Sequence, residues 1–272
     1  MTKEHYYGID WLRVGACFGI VMMHIQANNT YAISGIFADK IIPSFANFVF
    51  LFMVISAFGM CSGYYERIKN EDINWILFYK KRYIKVLPFF SVEVLIDIII
   101  NHNSISFIEA VPNLTLTRGF FPNDIEQIGV AWFLGLIFVF YAIFPLFYVF
   151  ISSKKKAWMF FWISILLNFV VANYFGIRRD NIIYSLPFFL MGGLIYLYKE
   201  NLQKMRWYFF LPITIISIII YYFIGENVYT WLWISAILLI QAIVIRGGTI
   251  STYHSSVELV WKYIFATWLC LG

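Results

Sequence analysis

The sequence predicts an all-α fold, a polytopic transmembrane helix bundle of about nine helices with the N-terminus in the cytoplasm, and three observations predict it. Of the 272 residues, 61% are hydrophobic and 13% charged, against about 25% charged in an average globular domain. Apolar runs long enough to approach or cross a bilayer core of about 30 Å recur from end to end, and no connection between them is long enough for a separate soluble domain. The Lys and Arg residues gather between those runs, 16 of the 20 on the side that holds the N-terminus, which by the positive-inside rule is the cytoplasmic side. The net charge of +5 is thereby explained by topology, and no nucleic-acid partner is expected. The chain reads as one membrane domain, residues 1–272, multi-pass in a cell membrane.

Helix one covers about Asp10 to Thr30 after a short polar start. Its length and the lack of a small-residue cleavage site argue against a removed signal peptide. Helix two, Phe-rich, runs from about Ile42 to Gly63. A strongly basic loop through Arg67, Lys69, Lys80, Lys81, Arg82 and Lys85 leads to helix three, about Ile84 to Asn101. A long connection, Asn101 to Gln127, is then expected outside, long enough by loop-length priors to be functional. Helix four is expected from about Ile128 to Ile151 and is followed by Lys154, Lys155 and Lys156, an inside-facing topology signal. Helix five ends near Phe175, and helices six, seven and eight follow at about Ile182 to Tyr198, Tyr208 to Ile224 and Tyr229 to Ile245. Val257 to Leu271 is a short ninth. Cys17, Cys61 and Cys270 lie in or beside apolar segments without CxxC spacing, so neither a disulfide framework nor a zinc site is suggested, and no bound cofactor or metal is expected.

Few residues in such a chain can carry chemistry. An ionisable side chain deep in a membrane helix is costly and is a functional candidate by default. His24 is the clearest. It follows Arg13 by eleven residues, which on an α-helix is about 16 Å along the axis and about 20° around it, so the two share a face. A neutral imidazole suits a general base; the alternative is an interhelical hydrogen bond. Arg13 alone would pass for a topology anchor. Glu93 and Asp97, spaced i, i+4 on helix three, either orient the imidazole or bind substrate hydroxyls, or pair with a cation such as Arg13 or with Tyr and Trp groups. Phe107, Arg118, Phe120 and Phe121 offer an aromatic stacking surface in the long loop, with ordinary apolar packing the alternative. Trp132 and Tyr141 suit packing or an interfacial anchor. His5, His102 and His254 read as isolated loop residues.

The segment IDWLRVGACFGIVMMH, with Arg13, ten residues and His24, resembles the opening helix of the acyltransferase-3 family of integral membrane acyltransferases. Three further segments agree in order: FLFMVISAFGM, FYKKRYIKVLP and AWFLGLIFVFYAIFP. The likeness is good from Gly8 to about Pro145. Ala57 stands after Ser56 where the family usually has Gly, and Arg82-Tyr-Ile-Lys85 replaces a usual Arg-x-x-Arg, keeping the charge but losing one bidentate fork. The family usually has ten helices and a closing Ser, Gly, Ile-Tyr-Leu, His-type segment that VELVWKYIFATWLCLG lacks, so the expectation is a chain shortened at its C-terminus.

The resemblance implies transfer of an acyl group, usually acetyl, from cytoplasmic acyl-CoA (acetyl-CoA) to a hydroxyl of a cell-surface polysaccharide or its lipid-linked precursor. It implies His24 and Arg13 as catalytic residues, Arg13, Arg82 and Lys85 as cations for the donor phosphates, and Glu93, Asp97, Ser56 and Trp132 in support. A secondary transporter and a non-catalytic membrane protein derived from the family are the rival expectations. Internal repeats and Gly/Pro-broken helices, the usual marks of a transporter, are not evident.

Overall fold

A computed structural model describes residues 5–30, 33–101, 104–115, 117, 131–224 and 227–245. Among these residues the regular structure is helical throughout. We number the longer helices α1 (Tyr7–Asn28), α2 (Phe48–Lys69), α3 (Trp75–Asn101), α4 (Ser104–Leu114), α5 (Ala131–Ala142), α6 (Phe144–Phe150), α7 (Lys154–Asn173), α8 (Ile182–Leu197), α9 (Phe210–Ile224) and α10 (Val228–Val244). Short turns over 37–47 carry the chain into α2. By length and composition, Tyr7–Asn28, Phe37–Lys69 and Lys154–Asn173 suffice to cross a membrane, and α5 with α6 makes a fourth span if that bent pair is one. The segments Ile182–Leu197, Trp207–Phe223 and Val228–Val244 are apolar but shorter. The expected ninth helix, Val257 to Leu271, lies outside the described residues.

Three expected boundaries move, each for a local reason. The basic stretch before helix three is helix rather than loop: the Asn74 side chain accepts a hydrogen bond from the Leu77 N–H at 2.9 Å, capping α3 nine residues earlier than Ile84 and putting Lys80, Lys81, Arg82 and Lys85 on its first turns. The long connection after Asn101 contains α4, whose Phe107, Ile108 and Val111 form an exposed apolar stripe at i, i+1, i+4 spacing. Helix four is broken beside a proline, where no Pro-broken helix was expected. Ile143 leaves the helical region, and α5 and α6 meet at 66°; Pro145, which has no N–H to donate back into α5, is tolerated in the first turn of a new helix.

The chain forms two compact units. The first comprises residues 1–59 and 191–271. In it α1 packs along α10 and α10 along α9. A Cβ at Gly8 would fall on the Ala242 backbone and one at Gly19 on the Phe48 ring, so the missing side chains are what lets α1 approach. Gln241 donates to the Thr214 hydroxyl at 3.0 Å, tying α10 to α9. A Cβ at Gly192 of α8 would meet the Val54 carbonyl and the Ala57 methyl. Position 57 therefore needs a small residue for close packing, and Ala meets that need.

The second unit comprises residues 60–190 and is built on aromatic rings. Phe140 stacks on Phe189 at 4.1 Å and meets Phe144 and Phe147 edge-on, while Phe144 stacks on Phe78 of α3 at 6.0 Å. Tyr65 donates to the Ser152 carbonyl at 3.2 Å. Helix α7 starts on Ser153, whose hydroxyl accepts from the Lys156 N–H, and it buries Ala157, Phe161, Ser164, Asn168 and Val171, an i, i+4, i+7 stripe with Trp158, Trp162 and Leu166 exposed opposite.

Candidate functional site

Helix α1 is unbroken from Tyr7 to Asn28, so Arg13 and His24 keep the predicted register. Burial fixes which way that face points. Ile9, Cys17 and Ile20 are buried and lie within about 40° of Arg13 around the axis, whereas the exposed Trp11, Phe18 and Ile25 lie about 120–160° away. The Arg13–His24 face is the one turned into the protein, and both side chains are half-buried. The His24 carbonyl accepts from the Asn28 amide at 2.9 Å.

Arg13 is held at both edges. Its Nη1 lies 3.5 Å from Oδ1 of Asp10, one turn back. A Cβ built on Gly59 of α2 would stand 3.6 Å from its Nη2, so the guanidinium lies across the stretch of α2 that bears no side chain. The other Asp10 oxygen, Oδ2, is 2.8 Å from Nε2 of His5. His5 is thus not the isolated residue expected from the sequence. The His5–Asp10–Arg13 cluster was missed there, although Asp10 at i−3 of Arg13 on one helix face was a legible signal.

In the second unit Arg82 occupies a cage. Its Cζ is 3.8 Å from the Phe78 ring centroid, 4.6 Å from Tyr64 and 5.2 Å from Tyr141. Nη1 donates to the Phe78 carbonyl at 2.8 Å and Nη2 contacts the Met60 sulfur at 3.2 Å. The guanidinium therefore joins α2, α3 and α5 through cation–π contacts. Lys85 follows three residues later; its side chain lies outside the described residues. Glu93 and Asp97 lie further along α3. Among the described residues neither Glu93 oxygen, though buried, has a hydrogen-bond partner. Trp132 carries the Arg179 guanidinium over its ring at 5.2 Å. Ser56 is half-buried on α2. His102, His254, Arg118, Phe120 and Phe121 lie outside the described residues. No group of three His, Cys, Asp or Glu side chains suited to a metal occurs among those described.

Comparison with known protein families gives a match. The acyltransferase-3 family model, described as an acyltransferase domain, matches residues 6–271. No curated protein and no solved structure matches. The chain belongs to the acyltransferase-3 family, and it is an acyltransferase with the apolar helices of a membrane protein.

Proposed function

Starting from that membership, we propose that the protein moves an acyl group, acetyl in the first instance, from cytoplasmic acyl-CoA to a hydroxyl of a cell-surface polysaccharide or its lipid-linked precursor. The observation that carries this is the inward-turned face of α1, with a cation at one level and an imidazole about 16 Å further along the same helix. In the proposed orientation, N-terminus in the cytoplasm, Arg13 takes a phosphate of the donor and the extended pantetheine arm brings the thioester toward His24. The His24 imidazole accepts the proton of the acceptor hydroxyl as its oxygen attacks the thioester carbon. A C–O bond forms, the C–S bond breaks, and the proton passes to the departing thiolate. In the same orientation Arg82 and Lys85 are further cations of the cytoplasmic side. With both its Nη groups engaged, the caged Arg82 acts through its field rather than as a bidentate phosphate fork.

The test is transfer of label from acetyl-CoA to surface polysaccharide in membranes containing the protein. A general base contributes on the order of 10²–10⁴-fold, so His24→Ala should lower transfer at least ~100-fold. Wild-type transfer by that variant overturns the assignment. Movement of a small molecule across the membrane without label transfer selects a transporter instead.

A further inference from the structure

We propose that Asp10 is a positioning residue for Arg13, and that His5 and Tyr6 fix Asp10 by docking the segment before α1. The inference rests on the donor-binding role proposed for Arg13 and adds three residues to it.

The cluster is assembled from both sides of the helix start. The Tyr6 carbonyl accepts from the Ile9 N–H at 3.0 Å, opening α1, and the Tyr6 ring meets Phe58 of α2 edge-on at 5.4 Å. Phe58 is buried and itself meets Tyr196, so the anchor is a core side chain. The next residue of α2, Gly59, is the one that Arg13 lies across. The pre-helical segment and Arg13 therefore dock on adjacent positions of one helix. His5 is held between the Tyr7 ring, 4.6 Å away and edge-on, and Asp10, to which its Nε2 donates at 2.8 Å. Asp10 then has one oxygen committed to His5 and the other facing Nη1 of Arg13.

Stability does not account for this arrangement. The Arg13 and Asp10 side chains are 31% and 21% exposed, so the pair is half-buried, and its attraction is offset by the cost of taking both charges out of water. Charge does not account for it either, because Asp10 cancels part of the potential that Arg13 offers an anion. What the carboxylate supplies is geometry. Arg has several rotatable bonds, and fixing them before the ligand arrives removes that ordering cost from binding. Asp10 holds Nη1, the glycine leaves room for Nη2, and the guanidinium is presented in one orientation. Two hydrogen-bonded links from an anchored backbone to a ligand-binding cation form the same kind of support that orients catalytic groups elsewhere.

The test uses the full chain in membranes, with acetyl-CoA as donor, and reads donor KM, acceptor KM and kcat separately. Asp10→Asn should raise the acetyl-CoA KM about tenfold while kcat and acceptor KM stay within about twofold. Asp10→Glu, which keeps the charge at the same helical position, should recover most of that loss, and His5→Ala should give a smaller rise of about threefold. Asp10→Asn with a donor KM within twofold of wild type overturns the proposal, and so does an equal rise in donor and acceptor KM. If Asp10→Asn fails to fold, the Asp10→Glu and His5→Ala measurements decide it alone, an unchanged donor KM in His5→Ala counting against. Wild-type protein that neither transfers label nor binds coenzyme A overturns the acyl-transfer reading itself, together with this inference. Wild-type transfer with an indifferent Asp10 overturns this inference alone.

Discussion

Two long helices of this protein each carry an arginine near their start, and the two arginines have opposite surroundings. Arg13 on α1 lies across a glycine, touches one carboxylate and keeps 31% of its side chain exposed. Arg82 on α3 is ringed by Phe78, Tyr64 and Tyr141, with its Nη groups on a carbonyl and a sulfur. Identical chemistry at the head of an apolar helix thus serves two ends. Where the neighbouring helix offers Gly59, the guanidinium lies against bare backbone and beside a carboxylate. Where neighbours offer aromatic faces, it is consumed as a pin between helices.

The contrast can be broken experimentally. The largest effect tests the close approach that α1 depends on: Gly8→Val puts a branched side chain on the Ala242 backbone and should cost about 3 kcal/mol, read as a lowered melting temperature in detergent. A melt unchanged from wild type would remove the α1–α10 packing on which the orientation of Arg13 rests. Next, Arg82→Ala should cost about 2 kcal/mol through lost cation–π and stem packing, whereas Arg13→Ala, which loses one long ion pair, should cost about half of that, ~1 kcal/mol. Equal losses would erase the distinction between pin and ligand cation. The smallest effect sharpens the map of α1: a Cβ at Gly15 meets nothing within 4 Å, so Gly15→Ala should stabilise by about 0.5 kcal/mol through helix propensity. A loss there would mean that Gly15, like Gly8, is used for contact.

Much of the α1 geometry was legible beforehand, because helical periodicity is a local property. An eleven-residue spacing puts Arg13 and His24 on one face wherever the helix sits. Other features were local too but passed unread: Asn74 as the cap of α3 and Pro145 as the break between α5 and α6 both act through backbone hydrogen bonds a few residues away. Asp10 belongs with these, one turn before Arg13. The pairing of His5 with Asp10 was less accessible, since it depends on Tyr6 docking against Phe58, about fifty residues further along the chain.

By itself, then, the sequence determined that this is an apolar helical chain with an arginine and a histidine on one helix face, because composition and short-range period settle those matters, and its ordered motifs carried the resemblance to the acyltransferase-3 family. Only the tertiary structure decided that this face turns inward, that Gly59 lies under Arg13, and that Arg82 is enclosed. Which residues from distant helices meet depends on how side-chain volumes interlock, and an α-helical period carries no record of its neighbour.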